Sequence, residues 1–150
     1  MAVVGKPRDA HLAAAIREYE TRASRYWPLE VHEVREEPNR SGSADLVRER
    51  EGDRLLDAIP SGARLVTCDV TGRAMTSEQF ARWMQGEREA ARDVGIMIGG
   101  AFGLGGNVRV KKPTSLSLAP WTLPHELARL VLAEQLYRAG TIMRGEPYHK

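Results

Sequence analysis

A chain of 150 residues, 42% hydrophobic and 28% charged, has the length and composition of one globular domain with a real core. Its formal net charge of +2, from 22 Lys and Arg against 20 Asp and Glu, is too small to announce a nucleic-acid binder, and no apolar run approaches the roughly 20 residues of a membrane helix. The single cysteine, Cys68, excludes an internal disulfide, and the opening MAVVGKPRDAH lacks the pattern of a secretory signal, so the cytoplasm is the expected compartment.

Val3 and Val4 predict a very short first strand, followed by a turn at residues 5–7. Leu12, Ala15, Ile16 and Tyr19 fall at helical spacing, and Pro28 blocks continuation of that helix. LEVHEV, residues 29–34, alternates apolar with polar like a half-buried strand, and EEPNRSGSA reads as loop. Leu46, Leu55, Leu56 and Ile59 mark a second amphipathic helix that stops at PSG. RLVTCDV, residues 64–70, is a compact apolar strand, and TGRAMTSEQF supplies a loop and then a helix start. There Thr76 is the N-cap and Gln79 holds the capping-box position.

Farther along, VGIMIGG at residues 94–100 reads as a buried strand ending in paired glycines, and SLSLAP at 115–120 as another strand. A last helix runs from about Pro124 to Arg138 or beyond. Charge is uneven: from Arg109 onward Arg109, Lys111, Lys112, Arg129, Arg138, Arg144 and Lys150 outnumber Glu126, Glu134 and Glu146. Strands alternating with helices predict an α/β fold with a parallel sheet, in one domain over residues 1–150. Ligands of such sheets bind beyond the carboxyl ends of the strands. Three segments occupy that position: the one after Cys68, the one after Ile98, and LAPWTL at 118–123.

Several chemistries lack their residues. Gly103 and Gly105 would need a glycine where Val108 stands to complete a dinucleotide fingerprint, and no GK[ST] follows for a phosphate loop. His11, His32, His125 and His149 show no metal-ligand pairing, so no metal site is expected, and the G-x-S-x-G elbow of a serine hydrolase is missing.

The motifs VTCD, IGG, LPH, EQLYRA and IMRGEPYHK together resemble the bacterial ribosomal RNA large subunit methyltransferase H family, in the SPOUT class of knotted methyltransferases. The likeness covers essentially the whole chain. It implies a C-terminal trefoil knot, a homodimer, and transfer of a methyl group from S-adenosyl-L-methionine to N3 of a pseudouridine in 23S rRNA, on the assembled ribosome. Position by position it implies donor binding at Cys68, Gly99, Gly100, Leu118, Ala119, Pro120, Trp121, Thr122 and Leu123, which are the three strand-end segments. It also points to Arg138, Tyr148 and His149 as the catalytic group, with an ordered tail completing a site across a dimer.

Tyr148 and His149 are candidates to help the imide proton leave, and Tyr148 is equally suited to stacking on an extruded base. Arg138 has two readings: a forked anchor for phosphate or base oxygen, or an ion pair with Glu134 four residues earlier. His125 reads as structural at the helix start and Trp121 as core, while Lys111 and Lys112 are either a solvated loop or a phosphate-steering pair. Cys68 stands where the family usually has leucine, as a small apolar wall rather than a nucleophile. The first strand is shortened relative to the family, or its start lies upstream. GLGGNVRVKKP replaces a segment that is helical in relatives, and Gly105 and Gly106 weaken a helix there by about 1 kcal/mol each. Two other functions fit the pattern: a SPOUT enzyme acting on another rRNA or tRNA position, and a non-catalytic RNA- or nucleotide-binding module.

Overall fold

The protein is described by a computed structural model over residues 1–39 and 42–149, with the side chain of His149 and all of Lys150 outside the described residues. Five parallel strands form one sheet in the order β2-β1-β4-β3-β5. In chain order the elements are β1 (Ala2–Val4), α1 (Ala10–Ala23), β2 (His32–Val34), α2 (Ala44–Asp57), β3 (Arg64–Ala74), α3 (Ser77–Glu89), β4 (Val94–Ile98), α4 (Gly106–Arg109), β5 (Thr114–Ser117) and α5 (His125–Met143). A 3-10 turn, Pro147–His149, closes the chain. Among the described residues no helix is long and apolar enough to cross a membrane.

The central strands β1 and β4 are apolar throughout because both sheet faces are covered there, whereas the edge strands β2 and β5 carry polar residues. Alternation of side chains sends Val3, Val66, Ile96, Ile98 and Leu116 to one face. There they meet Phe80 and Met84 of α3, Leu132 and Leu136 of α5, and Ala23 of α1. Ala2, Val4 and Met97 point the other way, onto Leu55 of α2 and Val108 of α4. Helix starts are fixed locally. Asp9 Oδ1 accepts the Leu12 N–H at 2.7 Å, and the capping box is complete, with Gln79 N–H to Thr76 Oγ1 at 3.2 Å and Thr76 N–H to Gln79 Oε1 at 2.9 Å.

Four boundaries differ from the sequence pattern. LEVHEV is strand only over His32–Val34, where β1 pairs with it, and SLSLAP only over Thr114–Ser117. The strand read over residues 94–100 ends at Ile98, and Gly100 instead makes an isolated antiparallel bridge to Gly103. RLVTCDV continues to Ala74, because TGRA is no free loop: Cys68 and Arg73 both register with Leu116, so the residues between them bulge outward. Gly72 permits this return to the sheet. A Cβ there would lie 2.7 to 2.8 Å from backbone atoms of Ser115 and Leu116.

Arg129 is buried in the second turn of α5 and ties that helix to its neighbours. Its Nε donates to Glu20 Oε1 of α1 and its Nη1 to Glu33 Oε1 of β2, each at 2.7 Å. A buried guanidinium is tolerated only when paired in this way. One of the bases that makes the C-terminal third positive is therefore structural.

Candidate functional site

At the carboxyl ends of β3, β4 and β5 the chain encloses a crevice of about 1130 Å³. Three turns line it. Cys68 and the β3 bulge supply one wall, residues 98–104 the second, and Leu118, Ala119, Trp121, Thr122 and Leu123 the third, while α2 adds Asp45, Arg48 and Glu49. Cys68, Gly99 and Gly100 thus share one hollow with five of the six residues expected from 118–123; Pro120 is not part of the lining. Crossing from β5 at the sheet edge to α5 carries the 118–124 segment over the strand ends, with the Ser117 hydroxyl donating to the Ala119 carbonyl at 2.9 Å.

Trp121 is a correction to the sequence reading. It is 71% exposed on the crevice rim rather than in the core, since the turn after β5 lies outside the layer that α3 and α5 cover. Phe102, also on the rim, is 41% exposed. His125 caps no loop through hydrogen bonds. It lines the crevice, and its buried Nε2 has no hydrogen-bond partner.

The charges around the hollow are held in place. Asp69, on the bulge, accepts the Thr71 N–H at 2.9 Å and the Thr71 hydroxyl at 2.7 Å, with Arg109 Nη2 at 3.3 Å. These bonds, the Thr71 N–H first, hold its carboxyl below the usual carboxylate range, so it stays ionised. Glu49 of α2 accepts from the Gly106 and Asn107 N–H groups at 2.7 and 3.2 Å, and Asn107 Nδ2 donates to the Glu49 carbonyl and Asp53 Oδ1. That clamp builds α4 despite Gly106 at its start, while Gly105, expected to weaken the helix, serves as its extended N-cap instead. Beneath Gly100, buried Glu51 uses Oε1 to accept the Glu37 N–H at 3.0 Å and leaves Oε2 unpaired, and burial raises its pKa.

Cys68 is enclosed by the same walls, and burial pushes its thiol up to about 12. At neutral pH it is therefore a small hydrophobe and not a thiolate nucleophile.

The C-terminal residues gather elsewhere. Arg138 and Tyr148 do not line the crevice of their own chain. They sit together on the α1/α5 face, where the Arg138 guanidinium lies 4.9 Å from the Tyr148 ring centroid and pairs with Glu134 at 2.6 Å. The helical ion pair expected from the i,i+4 spacing is present. Tyr148 stacks obliquely on Tyr137 at 4.5 Å, and the side chain of His149 lies outside the described residues. Sequence reasoning missed Asp69, Thr71 and the α2 carboxylates, because only the bulge and the packing of α2 on α4 bring them to the rim, and it did not single out Phe102 within the marked turn after Ile98. The run of polar residues after Cys68 was the one local signal.

Known proteins match this arrangement. A family model described as "Predicted SPOUT methyltransferase" matches residues 1–149. Ribosomal RNA large subunit methyltransferase H of Gemmatimonas aurantiaca is 64% identical over 148 residues, covering 99% of this chain and 96% of that protein. The protein of the same name from Geobacter metallireducens is 41% identical over 147 residues, covering 97% and 94%. Among solved structures, TrmJ from Z. mobilis superposes with a TM-score of 0.50 at 20% identity, over 92% of this chain and 68% of that one, a likeness of fold. With a parallel sheet of this order, a three-turn crevice at its carboxyl edge and identity along nearly the whole length, the chain belongs to the SPOUT methyltransferases, in the ribosomal RNA large subunit methyltransferase H family.

Proposed function

We propose that this protein transfers the methyl group of S-adenosylmethionine to N3 of a pseudouridine in 23S rRNA, acting as a homodimer on the assembled ribosome in the cytoplasm. The observation that carries the reading is the meeting of three strand-end turns around one hollow. Its volume, about 1130 Å³, slightly exceeds the usual span of small-molecule sites, about 300 to 1,000 Å³. The hollow fits the donor in kind as well: a Cβ on Gly99 would fall 2.9 Å from the Gly103 backbone, so the wall is bare peptide, able to read an adenine edge. The mouth sets three carboxylates, Asp69, Asp45 and Glu49, against Arg48 and Arg109, which pair with Asp45 and Asp69, and so keeps one carboxylate in excess for a sulfonium.

When bound, the donor supplies an electrophilic methyl group whose leaving thioether is neutral, so the chain's task is placement more than acid chemistry. Peptide groups at Cys68, Gly99, Gly100 and the 118–123 turn, Pro120 included, hold the adenosine, with Leu118 and Leu123 as apolar walls. Arg138 holds a phosphate or base oxygen of the acceptor, and Tyr148 and His149 contact the base. Because Arg138 and Tyr148 stand away from their own crevice, a second copy has to present them; Trp121 and Phe102, exposed on the rim, are left for that copy or the RNA to cover. Lys111 and Lys112, on the exposed turn after α4, add phosphate attraction. A trefoil knot around α5 belongs to the same reading.

The direct test is incubation with tritiated donor and either 70S ribosomes or naked rRNA from cells lacking the modification, followed by digestion and mass spectrometry. Label on N3 of one pseudouridine, with ribosomes only, is expected. Label on another base or on tRNA moves the enzyme within its class, and no label with any RNA leaves a binding module.

Cys68 offers an independent check. Its alkylation by iodoacetamide at pH 8 is expected to run at least about tenfold slower than that of free cysteine, and slower again with S-adenosylmethionine present. A labelling rate indifferent to the donor removes Cys68 from the donor wall.

A further inference from the structure

Glu134 lies one helical turn before Arg138 on α5 and holds three donors with one oxygen. Its Oε1 accepts from Arg138 Nε at 3.0 Å, from Arg138 Nη2 at 2.6 Å and from the Tyr148 hydroxyl at 3.1 Å. Its Oε2 accepts from Gln135 Nε2 at 2.8 Å, and Gln135 Oε1 accepts from the Ser77 hydroxyl of α3 at 2.8 Å. Both oxygens are engaged, and the side chain is 19% exposed. A surface i,i+4 pair worth a few tenths of a kcal/mol would need none of this. The carboxylate is the hub of a network that joins the tail to α5 and α3.

We propose that Glu134 is a positioning residue for methyl transfer, fixing Arg138 and Tyr148 as one unit in which the phenol donates its single O–H to the carboxylate and is held neutral, so that its ring and oxygen lone pair, not a phenolate, face the acceptor. The proposal rests on the reading that the tail forms part of the acceptor site. The groups facing the Tyr148 hydroxyl are Tyr19 of α1, at 3.3 Å, and Glu134 of α5, with the Arg138 guanidinium and the Tyr137 ring against its own ring. Arg22 of α1 is turned to Tyr19 and Tyr137. Arg138 spends its charge on Glu134. Burial first, then the hydrogen bond with Tyr19 and the Glu134 carboxylate, push the phenol above its ordinary range, against ionisation. Tyr148 then orients or stacks on the acceptor base, and the N3 proton leaves to another group or to water.

The experiment is a titration of 13C-labelled tyrosines by NMR from pH 8 to 11, with Tyr148→Phe assigning one signal among the four tyrosines. In the unaltered protein the Tyr148 signal should stay at its neutral position through pH 11. In Glu134→Gln its midpoint should fall, kcat for rRNA methylation should drop about 10- to 100-fold, and donor Kd should hold within about threefold. An unchanged midpoint, or a shifted midpoint with undiminished kcat, overturns the proposal. Should Glu134→Gln fail to bind donor, Glu134→Asp carries the test: it keeps the charge, so it should retain the raised midpoint, and loss of that shift counts against the proposal. Deleting residues 148–150 separates the two failures. A fully active deletion sinks the tail reading itself, whereas an inactive deletion beside a fully active Glu134→Gln sinks the positioning role alone.

Discussion

Removal of residues 148–150 is expected to lower kcat for rRNA methylation by about 10² to 10⁴-fold, the span associated with losing groups that contact the reacting base. Donor affinity, measured by titration calorimetry, should change by no more than about threefold. The split follows from position. Tyr148 packs on Tyr137 and Arg138 on the α1/α5 face, while the crevice is walled by turns from β3, β4 and β5. Among the described residues, Tyr148 is no part of the lining of the donor hollow of its own chain. Undiminished turnover by the shortened protein would remove Tyr148 and His149 from the reaction; lost donor binding would show that the tail supports the crevice instead. Mixing the deletion with an Arg138→Ala protein adds no activity if one protomer supplies both groups to the same composite site, because each mixed dimer then keeps no intact arrangement. Activity recovered to about a quarter of the unaltered level would instead mark one rebuilt site in half of the dimers.

Gly99→Ala should be the most damaging single methyl group in the crevice. The added Cβ would stand 2.9 Å from the carbonyl carbon and oxygen of Gly103 and 3.1 Å from Leu104 Cδ2. Gly103 cannot retreat easily. Its N–H donates to the Gly100 carbonyl at 3.0 Å, and its φ of +80° is one that glycine alone adopts without strain. Overpacking against backbone costs about 1 to 3 kcal/mol, so donor affinity should fall about 5- to 150-fold, with part of the cost seen as a lower Tm. Gly86→Ala is the matching control. It lies exposed on α3 with nothing within 4 Å of a Cβ, and it should stabilise the helix by about 1 kcal/mol without touching donor binding. A Gly99→Ala protein with unaltered affinity would place the donor away from this turn.

Glu51 and His125 show how burial leaves a mark that sequence does not. One carboxylate oxygen and one imidazole nitrogen, both enclosed and both without a hydrogen-bond partner among the described residues, lie near Gly100 and the crevice wall. Nothing in the spacing of residues 51 and 125 connects them, because α2 and the start of α5 meet only in the folded molecule.

The sequence by itself determined the elements whose causes are local. Asp9, Thr76 and Gln79 start their helices with side chains one turn away, and the apolar runs around Val66 and Ile96 could only be strands covered on both faces. It also marked the three strand ends where a ligand would sit, since that rule needs only strand direction and order along the chain. What the tertiary structure alone decided depends on partners distant in sequence. The Asn107 and Glu49 clamp makes α4 although Gly106 weakens it, with Gly105 placed at the N-cap outside the helix, and the close approach of Gly72 to Leu116 turns an apparent loop into a bulge that delivers Asp69 to the rim. The exposure of Trp121, and the separation of Arg138 and Tyr148 from their own crevice, follow from where layers end in space. Propensity and periodicity are properties of neighbours along the chain, whereas a site is made by neighbours across it.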